Sequence, residues 1–230
     1  MVTFFSREKK VTAYPEAVIF KLISERLSLT RHYKRIFERR LPQGVTYFYC
    51  LGGIALFLFI ALTFTGIVLS FYYVPSQSEA YPSIRFIDER LPLGWLMRSM
   101  HVWAASGMVV SVIAHMLRVY ITGSYKPPRE FNWLVGATLF VITMAFGFSG
   151  YLLPWDQKAF WATTVGTAMP GTIPLIGDFL VHMVRGGDDV TGVTLLRFYV
   201  LHIYLLPLVS TLLFWAHFHM IRRQGISGGL

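Results

Sequence analysis

Four long apolar segments constrain the fold of this 230-residue chain more than any other feature. They cover residues 45–74, 93–121, 131–153 and 194–221. A helix needs about 20 mainly apolar residues to cross a hydrocarbon core of about 30 Å, and all four segments are long enough. Inside lipid the backbone must satisfy its own hydrogen bonds, which favours helices. The sequence therefore predicts an all-α membrane protein, a bundle of four transmembrane helices.

The net charge of +9 is divided unevenly between the two sides of such a bundle. The N-terminal tail, the second connection and the C-terminus carry fifteen basic and five acidic residues, whereas the other two connections carry six and seven. Basic residues concentrate on the cytoplasmic side of membrane proteins. We therefore expect an integral, multi-pass protein with both termini in the cytoplasm, and we do not read the charge as a sign of nucleic-acid binding.

The first 44 residues form a basic tail, and residues 45–230 form the predicted transmembrane domain. Residues 15–40 are compatible with an amphipathic surface helix whose apolar side includes Ile19, Phe20 and Ile23. Ten basic residues in this tail either rest on anionic lipid headgroups or are simply solvated. The third connection, residues 154–193, is unusually long, and its aromatic and aliphatic side chains predict docking on the membrane.

Two pairs of histidines lie within the apolar segments. His101 and His115 are fourteen residues apart, and His202 and His217 are fifteen apart. A helix turns by about 100° per residue, so the fourteen-residue interval ends roughly 40° short of four full turns and the fifteen-residue interval roughly 60° past them. Each pair therefore lies broadly on one helix face. The two histidines of a pair are about 21–22 Å apart along the helix axis. Pro207 interrupts the fourth segment, and a kink there would help to accommodate the longer interval. Two facing helices would then offer two stacked bis-imidazole sites, and we expect haem in both.

Two pairs of glycines repeat the fourteen-residue interval: Gly52 and Gly66 in the first segment, and Gly136 and Gly150 in the third. Only glycine lets a large flat ring approach a helix backbone closely. We expect each level of the bundle to hold two histidine ligands and two glycine notches. Taken singly, a glycine in a membrane helix more often serves helix packing, and a histidine there can be a hydrogen-bonded core residue or a proton relay.

Arginines accompany the histidines. Arg98 and Arg118 each lie three residues from a histidine, and Arg129 lies in the second connection. Guanidinium binds carboxylates such as haem propionates in a bidentate manner. The same three residues also suit the membrane flanks, where arginine is common. Cys50 starts the first segment at the level of His115, and its residue type alone favours a buried free thiol.

Several stretches resemble one known family. They are FYCLGGI (48–54), RSMHVWAASGMVV (98–110), GYLLPWDQ (150–157) and HFHMIRRQGISGGL (217–230). In these stretches the chain resembles cytochrome b6, the short four-helix cytochrome b of quinol-oxidising cytochrome bc and b6f-type complexes. The fifteen-residue histidine interval and the four-segment length are both similar to the b6 type.

The resemblance implies roles for particular residues. His101 and His202 would hold the iron of an outer haem b, and His115 and His217 that of an inner haem b. Cys50 would form one thioether bond to a third, high-spin haem c of the ci type. Arg222 matches an arginine near that haem and its quinone. Candidates for an outer quinone site are Tyr151, Pro154 and Trp155.

The family's function is implied in the same way. The chain would carry electrons across the membrane between quinol-oxidising and quinone-reducing sites, coupled to proton translocation. The implied partners are a Rieske iron–sulfur protein, a three-helix partner like subunit IV, a cytochrome c-type acceptor or plastocyanin, quinol and lipid, in a homodimeric complex. The Pro-Glu-Trp-Tyr element of the family does not occur in this sequence, so this chain is expected to contain no catalytic residue by itself.

Departures from the family bear on location. Val102 follows the first histidine, where the family often has a basic residue, and the N-terminal tail is long. These departures favour a bacterial plasma membrane over a thylakoid.

Two other functions remain open on the residues alone. One is a di-haem membrane anchor of a dehydrogenase or hydrogenase, and the other is a haem-free transporter with histidine proton relays. The glycine interval and Cys50 argue against the anchor.

Overall fold

The computed structural model describes residues 46–227 of the chain. Its regular structure in this range is entirely helical, and the helices are α1 (Leu51–Ser70), α2 (Ala80–Glu89), α3 (Gly94–Ile121), α4 (Glu130–Leu152), α5 (Gln157–Ala168), α6 (Gly177–Arg185), α7 (Gly192–Val200) and α8 (Leu206–Gln224). A 3₁₀ turn at Tyr47–Cys50 precedes α1, and another at Met169–Thr172 follows α5. The surface helix predicted within residues 15–40 lies outside the described range.

Four helical segments are long and apolar enough to cross a membrane. They are Tyr47–Ser70, Gly94–Ile121, Glu130–Leu152 and Gly192–Gln224, of 24, 28, 23 and 33 residues. The predicted all-α, four-span fold is confirmed. The fourth span begins and ends slightly beyond the predicted 194–221, because a threonine cap starts α7 and three further polar residues extend α8.

The spans face their apolar side chains outward. On α1, Phe57, Phe64 and Ile67 are each more than half exposed, whereas Thr65 on the same helix is 1% exposed. Small and hydroxylated residues lie inside the bundle, including the buried Ser111. Apolar side chains facing lipid incur no hydrophobic penalty, and small inward residues allow close helix packing. This distribution is that of a membrane protein.

The first connection contains α2, a helix that the sequence reasoning did not assign. Its Ile87 is fully buried. A Cβ at Gly94 would lie 2.0 Å from the carbonyl oxygen of Ile87, and Leu93 just before it has a positive φ of 59°. Only glycine permits that approach. The tight turn holds α2 against the first residues of α3.

The third connection is a pair of helices. Asp156 caps α5 by accepting from the Ala159 N–H at 2.8 Å, which satisfies an otherwise orphaned donor. Arg185 at the end of α6 donates to the Thr167 hydroxyl at 2.8 Å and to the Thr164 carbonyl at 2.9 Å. These bonds join α5 and α6.

The fourth span is not a uniform α-helix. Between α7 and α8, Leu201–Leu205 form a π-helical segment, and Pro207 follows in the first turn of α8. A π segment inserts one residue into a helix. It therefore absorbs the extra residue of the fifteen-residue histidine interval, which brings the two histidines back to nearly the angular offset of a fourteen-residue interval.

Candidate bis-histidine sites

His101 on α3 and His202 in the π segment face each other. Their ring centroids are 6.4 Å apart, with an interplanar angle of 61°. A Cβ at Gly66 would lie 3.3 Å from Cε1 of His101, and one at Gly150 would lie 2.7 Å from Cε1 of His202. We call these four residues the His101–His202 level. At Gly150 no larger residue fits unless the imidazole moves.

His115 on α3 and His217 on α8 form a second level of the same design. A Cβ at Gly52 would lie 3.1 Å from Cε1 of His115, and one at Gly136 would lie 3.4 Å from Cε1 of His217. His217 lies close enough to His115 for the two imidazoles to interact electrostatically. We call these four residues the His115–His217 level. Each level thus combines two histidines from α3 and the fourth span with two glycines from α1 and α4.

Each of the four glycines lies directly against an imidazole ring. The physical reason is that α1 packs along α3 and α4 packs along α8. A missing side chain on α1 or α4 therefore makes room first for the histidine of its neighbour.

Two hydroxyl groups contact the histidines, and the sequence reasoning did not single them out. Thr65 Oγ1 lies 2.8 Å from Nδ1 of His101, and Ser149 Oγ lies 2.9 Å from Nδ1 of His202. A second-shell partner of this kind orients an imidazole ligand. The sequence contains one indication of these contacts, because Thr65 and Ser149 each directly precede one of the four glycines.

The donor set of the His101–His202 level fits a haem. A metal–imidazole bond is about 2 Å long, and the ring centre lies about 1 Å beyond the nitrogen. Two imidazoles that share one ion therefore have centroids about 6 Å apart, close to the 6.4 Å between the centroids of His101 and His202. No group of three or more potential protein ligands occurs within residues 46–227. Two imidazoles leave most of a metal's coordination sphere free, and a tetradentate macrocycle would complete it.

Arg98 is engaged by a residue of α2. Its Nη1 lies 2.5 Å from Oδ2 of Asp88, and both side chains are about one-third exposed. Arg98 lies about one turn before His101 along α3. A propionate at this level would therefore share the guanidinium with Asp88, a residue that the sequence reasoning did not identify.

The other two arginines keep buried donors free. Arg118 stacks over the Tyr49 ring, 4.4 Å from its centroid, and Arg129 donates from Nη2 to the Gln224 carbonyl at 3.3 Å. The Nε atoms of both arginines are buried and have no hydrogen-bond partner among the described residues. Arg222 is exposed near the end of α8. Free buried guanidinium donors at this end of the bundle suit an anionic group.

Cys50 is exposed and has no disulfide partner. The interpretation of this residue as a buried thiol is wrong. Cys50 precedes α1 at the end of the bundle, two residues after the exposed Phe48. It lies two residues before Gly52 of the His115–His217 level.

The three quinone-site candidates lie together where α4 ends. Tyr151 is 55% exposed, and Pro154 and Trp155 follow in the turn that leads to α5. Trp155 has a positive φ of 52°, and its ring makes an edge contact with Phe160 at 5.9 Å between centroids. In the sequence, the three residues lie one to five positions after Gly150 of the His101–His202 level.

Four spans that bring histidines together in two stacked pairs define the architecture of a transmembrane di-haem cytochrome. Comparison with known proteins agrees with this class. The family model described as cytochrome b/b6/petB matches residues 36–225. The chain belongs to the cytochrome b/b6 family.

Curated relatives cover nearly the whole chain. Cytochrome b6 of Synechococcus sp. (strain RCC307) is 45% identical over 212 residues, which are 92% of this chain and 97% of the relative. Cytochrome b6 of Prochlorococcus marinus (strain MIT 9211) is 44% identical over 212 residues, 92% of this chain and 97% of the relative. The resemblance to cytochrome b6 is confirmed, and the chain is a cytochrome b6-type subunit of a bc-type membrane complex.

A solved structure described as a hyperthermophilic respiratory Complex III matches with a TM-score of 0.84 and 32% identity. The match covers 90% of this chain and 55% of that one, so the present chain spans about half the length of its structural neighbour. With the family established, neither the dehydrogenase-anchor nor the transporter hypothesis retains support.

Proposed function

We propose that this chain carries electrons across the membrane between a quinol-oxidising and a quinone-reducing site of its complex, coupled to proton translocation. His101 and His202 would hold an outer haem b, and His115 and His217 an inner one. The observation that carries the proposal is the repetition of one design, two histidines and two glycines, at two depths of the same bundle. A bis-imidazole haem iron takes up and releases single electrons, and this is the chemistry that the bound groups supply.

The residues of the chain bind, orient and insulate these groups. The facing imidazoles would hold the iron through one ring nitrogen each, while Gly66 and Gly150 allow α1 and α4 to approach these rings. The fourteen-residue interval separates the levels by about 21 Å along the helix axis. Both levels therefore fit within one hydrocarbon core of about 30 Å, and groups held at them would divide the crossing into shorter steps.

A third haem, of the c type and covalently bound, is proposed at Cys50. The exposed thiol at the start of α1 supports this role, because a thioether bond requires access to the sulfur. Arg118 and Arg129 carry free buried donors that would face its propionates or those of the inner haem b. Arg222 is proposed to lie near this haem and a bound quinone.

The remaining partners follow from the family. We propose a Rieske iron–sulfur protein, a three-helix partner like subunit IV, a c-type cytochrome acceptor and a homodimeric complex, in a bacterial plasma membrane with both termini cytoplasmic. The outer quinone site would include Tyr151, Pro154 and Trp155, and the partner subunits would supply the catalytic groups.

The ligand assignment is tested by substituting one histidine at each level. In membranes that contain the full chain, His101→Leu and His115→Leu should each remove one of two low-spin centres from the optical and electron spin resonance spectra. His219→Leu is the control, because His219 lies on α8 beside His217 but is exposed and stacks on Trp215 at 5.5 Å. Retention of both centres in either ligand variant would show the assignment to be wrong.

The covalent haem has a separate test. After denaturing electrophoresis, a haem stain should remain on the wild-type chain and disappear in Cys50→Ala, while the two low-spin centres persist in membranes. A stain of equal strength in the variant would contradict attachment at this residue. Absence of any stain from the wild-type chain would contradict the third haem itself.

A further inference from the structure

The two histidine levels differ in what faces the second nitrogen of each imidazole. At the His101–His202 level, both Nδ1 atoms have a hydroxyl partner, Thr65 at 2.8 Å and Ser149 at 2.9 Å. At the His115–His217 level, both Nδ1 atoms are buried without a hydrogen-bond partner in the described part of the chain. The residues that precede the glycines of that level, Leu51 and Val135, carry no hydroxyl.

The direction of the two hydroxyl contacts can be worked out from their other bonds. Thr65 Oγ1 donates to the Ala61 carbonyl at 2.8 Å, and Ser149 Oγ donates to the Ala145 carbonyl at 2.6 Å. A hydroxyl has one hydrogen, and a carbonyl oxygen only accepts. Each hydroxyl therefore accepts an N–H from its histidine. This bond holds the proton on Nδ1 and leaves the Nε2 lone pair available to a metal ion.

Burial makes these bonds strong and persistent. Thr65 is 1% exposed and Ser149 is 0% exposed, so water does not compete for either oxygen. A hydrogen bond in such a low-dielectric interior is stronger than one in water. Both hydroxyls are also anchored to their own helices by the carbonyl bonds, which fixes the acceptor lone pairs in place.

We propose that Thr65 and Ser149 are positioning residues that lower the reduction potential of the centre at the His101–His202 level. An imidazole that donates from Nδ1 is a stronger electron donor at Nε2, and stronger donation stabilises ferric over ferrous iron. No side-chain hydroxyl of the described residues acts in this way at the other level, so the effect is confined to one centre. This inference rests on the proposed haem ligation.

The test is a redox titration of membranes that contain the full chain with Thr65→Val or Ser149→Ala. At a fixed ambient potential, the ratio of reduced to oxidised centre at this level should rise, and each tenfold rise corresponds to an upward shift of about 59 mV for one electron. The other centre should not move. Thr65→Ser and Ser149→Thr keep a hydroxyl and should restore the wild-type potential.

Two further substitutions control for the loss of a hydroxyl as such. Among the described residues, the Thr63 hydroxyl on α1 bonds only to the Phe59 carbonyl at 2.8 Å, and the Thr143 hydroxyl on α4 bonds only to the Leu139 carbonyl at 2.8 Å. Neither hydroxyl contacts a histidine, so Thr63→Val and Thr143→Val should leave both potentials unchanged.

The outcomes separate this inference from the proposed function. Unchanged potentials in Thr65→Val and Ser149→Ala, or equal shifts in the Thr63 and Thr143 controls, would show the inference to be wrong while the ligand assignment stands. A raised potential in Thr65→Val and Ser149→Ala that returns to the wild-type value in Thr65→Ser and Ser149→Thr would support it. Failure of the proposed function would appear differently, as retention of both centres in His101→Leu.

Discussion

Gly150→Ala should disturb the His101–His202 level more than any other glycine substitution in the bundle. The added Cβ would lie 2.7 Å from Cε1 of His202 and 3.4 Å from each ring nitrogen. Carbon atoms in favourable contact are about 3.5–4.0 Å apart, so the ring or α4 must move by roughly 1 Å. The ring has little freedom to do so, because Ser149 holds its Nδ1 at 2.9 Å.

The size of the effect follows from the packing. Overpacking of a well-packed interior costs about 1–3 kcal/mol. At about 1.4 kcal/mol per factor of ten, the group bound at this level should be retained about 5- to 150-fold less strongly. The measurement is the amount of each low-spin centre, by optical difference and electron spin resonance spectra of membranes that contain the variant. We expect loss or weakening of one centre and retention of the other.

Gly147→Ala on the same helix is the matched control. No heavy atom of the described chain lies within 4 Å of a Cβ at this position. Alanine also favours a helix over glycine by about 1 kcal/mol. Both centres should therefore persist in Gly147→Ala. A wild-type spectrum in Gly150→Ala, or equal damage in Gly147→Ala, would refute the reasoning from contact distance.

Two further predictions concern the surroundings of the histidines. Asp88→Asn should leave the Arg98 charge uncompensated and raise the potential of the adjacent centre in a redox titration. The pair is about one-third exposed, so stability should fall by at most about 1 kcal/mol. Glu89→Gln removes an equal charge one residue along α2 and should leave the potential unchanged; equal shifts would contradict a specific role for the pair. Deletion of Leu205 should convert the π segment to α-helix and keep both centres. Deletion of Gly107 from the uniform helix α3 is the control and should remove one centre. Loss of a centre after deletion of Leu205 would refute the role given to the π segment.

Much of the fold could be predicted because membrane spans depend on length and composition alone. A run of about 20 apolar residues has few alternatives to a transmembrane helix, and all four were identified from the sequence. The histidine and glycine intervals could be read in the same way, because helical periodicity converts sequence spacing into position on a face. The structure brings those eight residues together at two levels.

The rest depends on packing that has no sequence period. Helix α2 is ten residues long, too short to be stable by itself, and it is held by the contact of Ile87 with Gly94. The pairing of Asp88 with Arg98 follows from that contact. The acceptors Thr65 and Ser149 are ordinary helix residues until a neighbouring helix brings a histidine to them. The sequence predicts that the two histidine helices face each other, but it does not indicate which hydroxylated residue of α1 or α4 each histidine meets.

The fifteen-residue interval shows how the local and global requirements are reconciled. Three helices of the bundle repeat their functional residues every fourteen positions, and a fourth helix with a uniform α geometry would present its second histidine about 100° further round. The π segment absorbs one residue just where His202 lies, and Pro207, which has no N–H to donate, lies two residues after the segment. His202 is also the histidine with the closest glycine contact, 2.7 Å from a Cβ at Gly150. The π segment and the closest approach of a glycine to a histidine therefore coincide at His202. The fourth span can hold histidines at both levels because the π segment absorbs the extra residue at this position.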